Sequence, residues 1–127
     1  MLLLDTDVMV DLFREYPPAL EWVTTRNEQI VLPGYVVMEL VQGCKNKIEQ
    51  ERLEKTLSAY AIAWPSPQIC DAALSVFARY YLSHSVGIFD ALIGQLAVSL
   101  DAPLYTFNQK HYAAIPNLKI IQPYPKE

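Results

Sequence analysis

The residues Leu2-Leu3-Leu4-Asp5-Thr6-Asp7-Val8-Met9-Val10-Asp11-Leu12 decide the fold class of this chain. Three consecutive leucines without polar alternation predict a strand with both faces buried, as in a parallel sheet covered by helices. Asp5 then stands at the carboxyl end of that strand. Because ligands of open α/β sheets bind in the crevice at this end, we take Asp5 as the centre of a candidate site.

Length and composition predict one domain over residues 1–127, since 52% of the residues are hydrophobic and 19% are charged. The net charge of −4 argues against a broad basic surface for nucleic acid, but not against an enzyme whose acids bind a divalent metal. The apolar start lacks a basic leader. We therefore expect a cytoplasmic protein with no membrane span and with reduced Cys44 and Cys70.

Short apolar runs and helical segments alternate along the rest of the chain. Further strands are predicted at 30–32, 61–64, 103–106 and 118–121. Helices are predicted at 8–15, from 18, from 35, over 48–60, from 67 and over 88–100, with a short helix or turn at 108–114. The helix from Pro67 is expected to bury the stripe Ile69, Ala73, Val76, Phe77 and Tyr80. This alternation predicts a parallel sheet with helices on both faces.

Four oxygen-bearing side chains are predicted to converge at the carboxyl edge of this sheet. Asp5 and Asn108 each follow a strand, whereas Glu39 and Asp90 are each placed early in a helix that follows a loop. Hard oxygen donors suit magnesium or manganese rather than zinc, and such a metal accompanies phosphate chemistry.

Several of the acids also have a purely structural interpretation. Asp5, Thr6 or Asp7 is able to cap the helix that follows. Asp90 in a first turn is favourable against the helix dipole, and Asp11 is interpreted as a surface residue or a support for the loop. A basic ridge along the helix at 48–60 has two interpretations as well: a solvated face with salt pairs, which is favoured, or a contact with a phosphate backbone.

Four segments together resemble the PIN-domain family and, within it, the VapC-type toxins of toxin–antitoxin pairs. They are residues 3–11, 37–40 with Gly43, 90–97 and 106–112, and they occur in the family's order across essentially the whole chain. The resemblance implies an α/β fold, a three-layer α/β/α sandwich around a central, mostly parallel sheet of four or five short strands.

The resemblance also implies a magnesium- or manganese-dependent endoribonuclease. It puts Asp5, Glu39 and Asp90 in the acidic metal cluster and Asn108 at the fourth position, where many family members have Asp. A water would attack the scissile phosphodiester in line, with Glu39 as a ligand or as the base. Single-stranded or looped RNA is the expected substrate. A homodimer and a VapB-type antitoxin that blocks the site are the expected partners.

Supporting residues are expected around this cluster. Thr6, Asp7 and Thr106 are expected next to the metal ligands. Asp7 is interpreted either as a support of Asp5 or as an extra ligand, and Thr6 as orienting Asp5 or a water by hydrogen bonding. Phosphate contacts are expected from Lys110, His111, Lys45, Lys47 and Arg52. For His111 a structural hydrogen-bonding role is favoured over a catalytic one.

Two other functions stay open. Asp5-Thr6-Asp7 after an apolar strand also resembles the start of a haloacid-dehalogenase-type phosphatase, with Asp5 as nucleophile and Asp7 as acid/base. That family needs a later Lys and a downstream acidic pair, and this sequence has no adjacent acidic pair. The other alternative is a PIN-like module that binds RNA or protein without cleaving, because Asn108 removes a charge from the fourth position.

Overall fold

The computed structural model describes residues 1–126. Its strands are β1 (Leu2–Leu4), β2 (Ile30–Pro33), β3 (Ala61–Ala63), β4 (Leu104–Tyr105) and β5 (Ile120–Ile121). They form one parallel sheet in the order β3-β2-β1-β4-β5. The predicted α/β fold with a parallel sheet is thereby confirmed.

Helices connect these strands. They are α1 (Thr6–Phe13), α2 (Pro17–Thr24), α3 (Gly34–Gln42), α4 (Lys47–Leu57), α5 (Pro67–His84), α6 (Ile88–Ser99) and α7 (Gln109–Tyr112). Strands β1 to β3 proceed towards one edge of the sheet, and the chain then crosses back to place β4 on the other side of β1. Right-handed crossovers consequently put α1–α4 and α5–α7 on opposite faces of the sheet.

The central strand is buried as predicted: Leu2, Leu3 and Leu4 are each 0% exposed. Helix α1 begins at Thr6, two residues earlier than expected, because Asp5 caps it by accepting a hydrogen bond from the Thr6 backbone N–H. The two strands β4 and β5 are only two residues long each and thus shorter than predicted.

One sequence-based placement is wrong. Glu39 does not lie early in its helix, since α3 starts at Gly34 and Glu39 falls in its second half. The stripe expected on α5 does face the core: Ala73 is buried, and Ile69, Val76, Phe77 and Tyr80 are partly buried against core residues. Because α5 packs mainly on α6, much of its apolar surface stays open, and Leu82 is 91% exposed. No helix formed by residues 1–126 combines the length and the apolar character that crossing a bilayer requires.

Candidate active site

The site lies where the strand order reverses. Asp5 follows β1, and Thr106 and Asn108 follow the adjacent β4. The connections that follow these two parallel strands leave in opposite directions. A crevice therefore opens between the carboxyl ends of the strands, and this is where α/β sheets bind ligands. The topology therefore places the leading candidate, Asp5, at the mouth of this crevice.

Asp5 is held by hydrogen bonds from both neighbouring strand ends. Its Oδ1 accepts from the Thr6 backbone N–H at 2.8 Å, and its Oδ2 accepts from the Thr106 hydroxyl at 2.8 Å. Burial raises the pKa of Asp5 to about 6, and repulsion from Asp7 acts in the same direction. The hydrogen bonds oppose this rise but do not cancel it. An ionised Asp5 thus carries a buried charge that the fold alone does not fully compensate.

Asp7 turns away from the crevice and ties the start of α1 to the loop after β4. Its Oδ1 accepts from the Val8 backbone N–H at 2.8 Å, and its Oδ2 accepts from the Phe107 backbone N–H at 2.9 Å. Burial raises the pKa of Asp7, and the charge of Lys126 opposes that rise. Asp7 therefore orders the loop that carries Asn108 and does not itself line the cleft.

Glu39 and Asp90 reach the crevice from two helices. The Glu39 Oε1 accepts from the Thr6 hydroxyl at 3.1 Å, which links α3 to the start of α1. The Asp90 Oδ2 accepts from the Gly87 backbone N–H at 3.1 Å and closes a capping box at the start of α6. The second oxygen of each carboxylate accepts no hydrogen bond from residues 1–126.

The acids line one cleft of about 350 Å³. Its walls are Asp5, Thr6, Glu39, Gly87, Ile88, Phe89, Asp90, Asn108, His111 and Tyr112. The ion pairs formed within residues 1–126 are Lys119 with Asp101 and Lys126 with Asp11. The carboxylates of the cleft therefore have no cationic partner in the part of the chain that the structure describes.

This donor set suits a hard divalent cation. Carboxylate and amide oxygens are the ligands that magnesium prefers, and the unused oxygens of Glu39 and Asp90 are available for one. Among residues 1–126, however, no three acidic, His or Cys side chains stand close enough to form a complete metal site. The predicted acidic residues share one cleft, but they are not in ligating contact with a common point.

Sequence reasoning missed Tyr112. Its side chain is 1% exposed, lines the cleft and lies against Asp5. Burial raises the pKa of Tyr112 above its usual range, and the charges of Asp5 and Asp90 add to this effect. The phenol therefore stays protonated next to Asp5. The spacing in the sequence could have indicated its position: Tyr112 follows Asn108 by four residues, so in a helix the two side chains lie on the same face, one turn apart.

The predicted phosphate contacts fall into two groups. Lys110 and His111 are exposed beside Asn108, although the His111 side chain makes no hydrogen bond within residues 1–126, contrary to the favoured interpretation. On the opposite side, a groove of about 370 Å³ contains Lys45 and Arg52, joined by Arg14, which was not predicted. Lys47 is exposed and does not line that groove.

The basic ridge on α4 does not form the expected salt pairs within residues 1–126. Arg52 instead donates a hydrogen bond to the Phe13 carbonyl at 2.8 Å and stacks 4.3 Å above the Phe13 ring. Asp11 is a structural support, since its Oδ2 accepts from the Tyr124 hydroxyl at 2.6 Å and from Lys126 Nζ at 2.7 Å.

Known proteins share this architecture. The model of the PIN domain matches residues 2–116. The chain belongs to the PIN-domain family. Ribonuclease VapC19 of Mycobacterium tuberculosis is 31% identical to it over 123 residues, which cover 94% of this chain and 98% of the relative. The resemblance to VapC-type proteins is thereby confirmed.

Solved structures agree with this assignment. A toxin–antitoxin complex from Klebsiella pneumoniae contains a chain that superposes with a TM-score of 0.80 at 25% identity, covering 98% of both chains. VapBC2 from Rickettsia felis, bound to a DNA fragment from their promoter, gives a TM-score of 0.81 at 25% identity over 94% of this chain and 96% of that chain.

The phosphatase alternative is not favoured. Its chemistry needs Asp7 as acid/base in the same pocket as Asp5, together with a lysine. The Asp7 carboxylate instead binds the backbone of Val8 and Phe107, and the residues that line the acidic cleft include no lysine.

Proposed function

We propose that this protein is a divalent-metal-dependent endoribonuclease and the toxin of a toxin–antitoxin pair. The observation that carries the proposal is the meeting of Asp5, Glu39 and Asp90 at one cleft without a cationic partner among residues 1–126. Membership of the PIN-domain family and the 31% identity with Ribonuclease VapC19 support the reaction class.

Asp5, Glu39 and Asp90 would hold magnesium or manganese, and Asn108 would add an amide oxygen from the rim. A divalent ion bound there supplies the positive charge that phosphodiester hydrolysis needs. Thr106 and the Thr6 backbone hold Asp5 in one orientation. The Thr6 hydroxyl fixes one oxygen of Glu39, which leaves the other oxygen free either to bind the metal or to accept a proton from the attacking water.

The substrate backbone would cross the cleft between two sets of cations. The groove with Arg14 and Lys45 joins the acidic cleft, because Thr6 and Glu39 line both. Lys110 lies beyond Asn108 on the other side. Cations on both sides of the acids place positive charge along the path of the phosphates, although the net charge of the chain is −4. Binding should weaken steeply as salt is added.

The partners follow from the relatives. Similar solved chains occur in complexes named as toxin–antitoxin or VapBC assemblies. We therefore propose a VapB-type antitoxin as the partner of this chain and a homodimer as its assembly. An RNA substrate and a co-expressed antitoxin imply action in the cytoplasm.

Cleavage of a labelled single-stranded RNA by the purified protein tests the activity. Reactions with magnesium, with manganese and with chelator are compared for the natural protein, for Asp90→Asn and for Asp71→Asn. Asp71 is an exposed aspartate on α5 and serves as the matched control. We expect metal-dependent cleavage that Asp90→Asn abolishes and Asp71→Asn retains.

Two results would contradict this proposal. Cleavage that survives in Asp90→Asn would remove that residue from the site. A folded protein that cleaves no RNA with either metal, yet still binds RNA, would favour the non-catalytic module. Growth arrest on expression, relieved by the antitoxin, tests the toxin assignment separately.

A further inference from the structure

A row of three aromatic rings leads away from the acidic cleft. Phe89 lines the cleft itself. The Tyr35 ring lies next to it, with 5.8 Å between the ring centroids, and the Trp64 ring follows at 5.6 Å from Tyr35 in an edge-to-face arrangement. The row is therefore continuous with the candidate active site.

The sheet topology fixes where this row runs. Trp64 follows β3, Tyr35 stands in the first turn of α3 after β2, and Asp5 follows β1. These three strands are neighbours and parallel, so all three residues lie at the same carboxyl edge. With strands about 4.8 Å apart, Trp64 lies roughly 10 Å across the edge from Asp5.

The Trp64 indole is packed on one side and exposed over much of the rest of its surface. A Cβ atom at Gly34 would overlap Cδ2, Cε2 and Cε3 of Trp64, so the ring rests on the Gly34 backbone. Trp64 is nevertheless 56% exposed. Phe89, at the cleft end of the row, is 51% exposed. The packing on Gly34 and Tyr35 holds the exposed part of the indole in place before any ligand binds.

We propose that Trp64 and Phe89, with Tyr35 between them, form a stacking platform for unpaired bases of single-stranded RNA next to the scissile phosphate. Every base has an aromatic face, so such a platform holds a single strand without requiring a particular sequence. Bases in a duplex are already stacked and cannot use it. The inference takes its substrate class from the ribonuclease activity proposed above. Phe89 belongs both to the row and to the acidic cleft, so the row continues the proposed path of the RNA, which is the occupant.

Tryptophan fluorescence gives a direct readout, because the chain has only two tryptophans and the other, Trp22, is 9% exposed. The protein is titrated in chelator with a short single-stranded RNA of mixed sequence and, in parallel, with the same sequence as a duplex. We expect the single strand to quench the Trp64 emission and the duplex to leave it unchanged.

Affinities of the variants are measured with a labelled RNA under the same conditions. Trp64→Ala should bind at least about fivefold more weakly, the scale of one base–aromatic stack. Trp64→Phe should retain most of the affinity because it keeps a ring. Leu82→Ala removes an apolar side chain that is 91% exposed elsewhere on the surface and should bind like the natural protein.

The same variants separate this inference from its rivals. The mass of the assembly in solution is measured for each variant. If Trp64→Ala forms a smaller assembly than the natural protein and binds RNA with unchanged affinity, the row is a self-association surface and the platform is overturned. Cleavage together with unchanged RNA binding by Trp64→Ala would overturn the platform and leave the activity standing. Binding that depends on Trp64 in a protein that cleaves nothing would support the platform and refute the activity.

Discussion

Replacing Asp5 with Asn should make the metal-free protein more stable at neutral pH, although it should destroy the proposed activity. Asp5 is 4% exposed, and burial raises its pKa from 3.8 to about 6. A rise of this size corresponds to about 3 kcal/mol of unfavourable free energy for the ionised form in the folded state. Asn has a similar shape and no charge, so it removes this cost.

The net gain is smaller than the full cost because Asn has one acceptor oxygen where Asp5 has two, so its NH2 group replaces an oxygen that accepts from either the Thr6 N–H or the Thr106 hydroxyl. We expect the free energy of unfolding to rise by about 2 kcal/mol at pH 7.5, which corresponds to roughly 6–10 °C in Tm for a chain of this size. The folded state binds the Asp5 proton more tightly than the unfolded state does. Protonation of Asp5 therefore stabilises the folded natural protein at low pH, and this stabilisation is lost as the pH rises from about 4 through 6.

Thermal unfolding in chelator is followed from pH 4.5 to 7.5 for the natural protein, Asp5→Asn and the exposed control Asp71→Asn. The stability advantage of Asp5→Asn should be small at the acidic end and should reach its full size above pH 7. Added magnesium should reduce the difference in stability between the two proteins, since it binds the folded natural protein and stabilises it. An Asp5→Asn protein that is less stable at pH 7.5, or whose advantage does not depend on pH, would refute the assignment of a destabilising buried charge.

Three further predictions test other parts of the molecule. Asn108→Asp should tighten divalent-cation binding measured by calorimetry, because it adds a charge at the rim; unchanged or weaker binding would place this residue outside the metal site. Gly34→Ala should push the Trp64 indole off the backbone, with a red-shifted emission and a loss of about 1 kcal/mol of stability in urea; an unchanged spectrum would contradict the stacked geometry. Tyr124→Phe removes the hydrogen bond to Asp11 and should cost about 1 kcal/mol while cleavage stays intact; a loss of cleavage would show that the carboxyl-terminal tail contributes to the site.

The main features of the fold were predictable because the signals are local. Leu2–Leu4 form an uninterrupted apolar run, which is typical of a strand buried on both faces in an α/β protein. Prolines and alternating apolar segments then mark the succession of helices and strands. The ends of the elements were less predictable, since the Asp5 side chain rather than the apolar pattern determines where α1 begins.

The sequence by itself therefore determined the parallel sheet, the place of Asp5 at the end of its first strand, and a set of oxygen donors suited to a divalent metal. Only the tertiary structure decided how Glu39 reaches the cleft from the second half of α3, through its contact with Thr6, and that Tyr112 lies against Asp5. It also decided that Arg52 is occupied by Phe13 and that Trp64 rests on Gly34. These contacts join residues far apart in the chain, and their geometry depends on strand order and helix packing, for which a local pattern carries no signal.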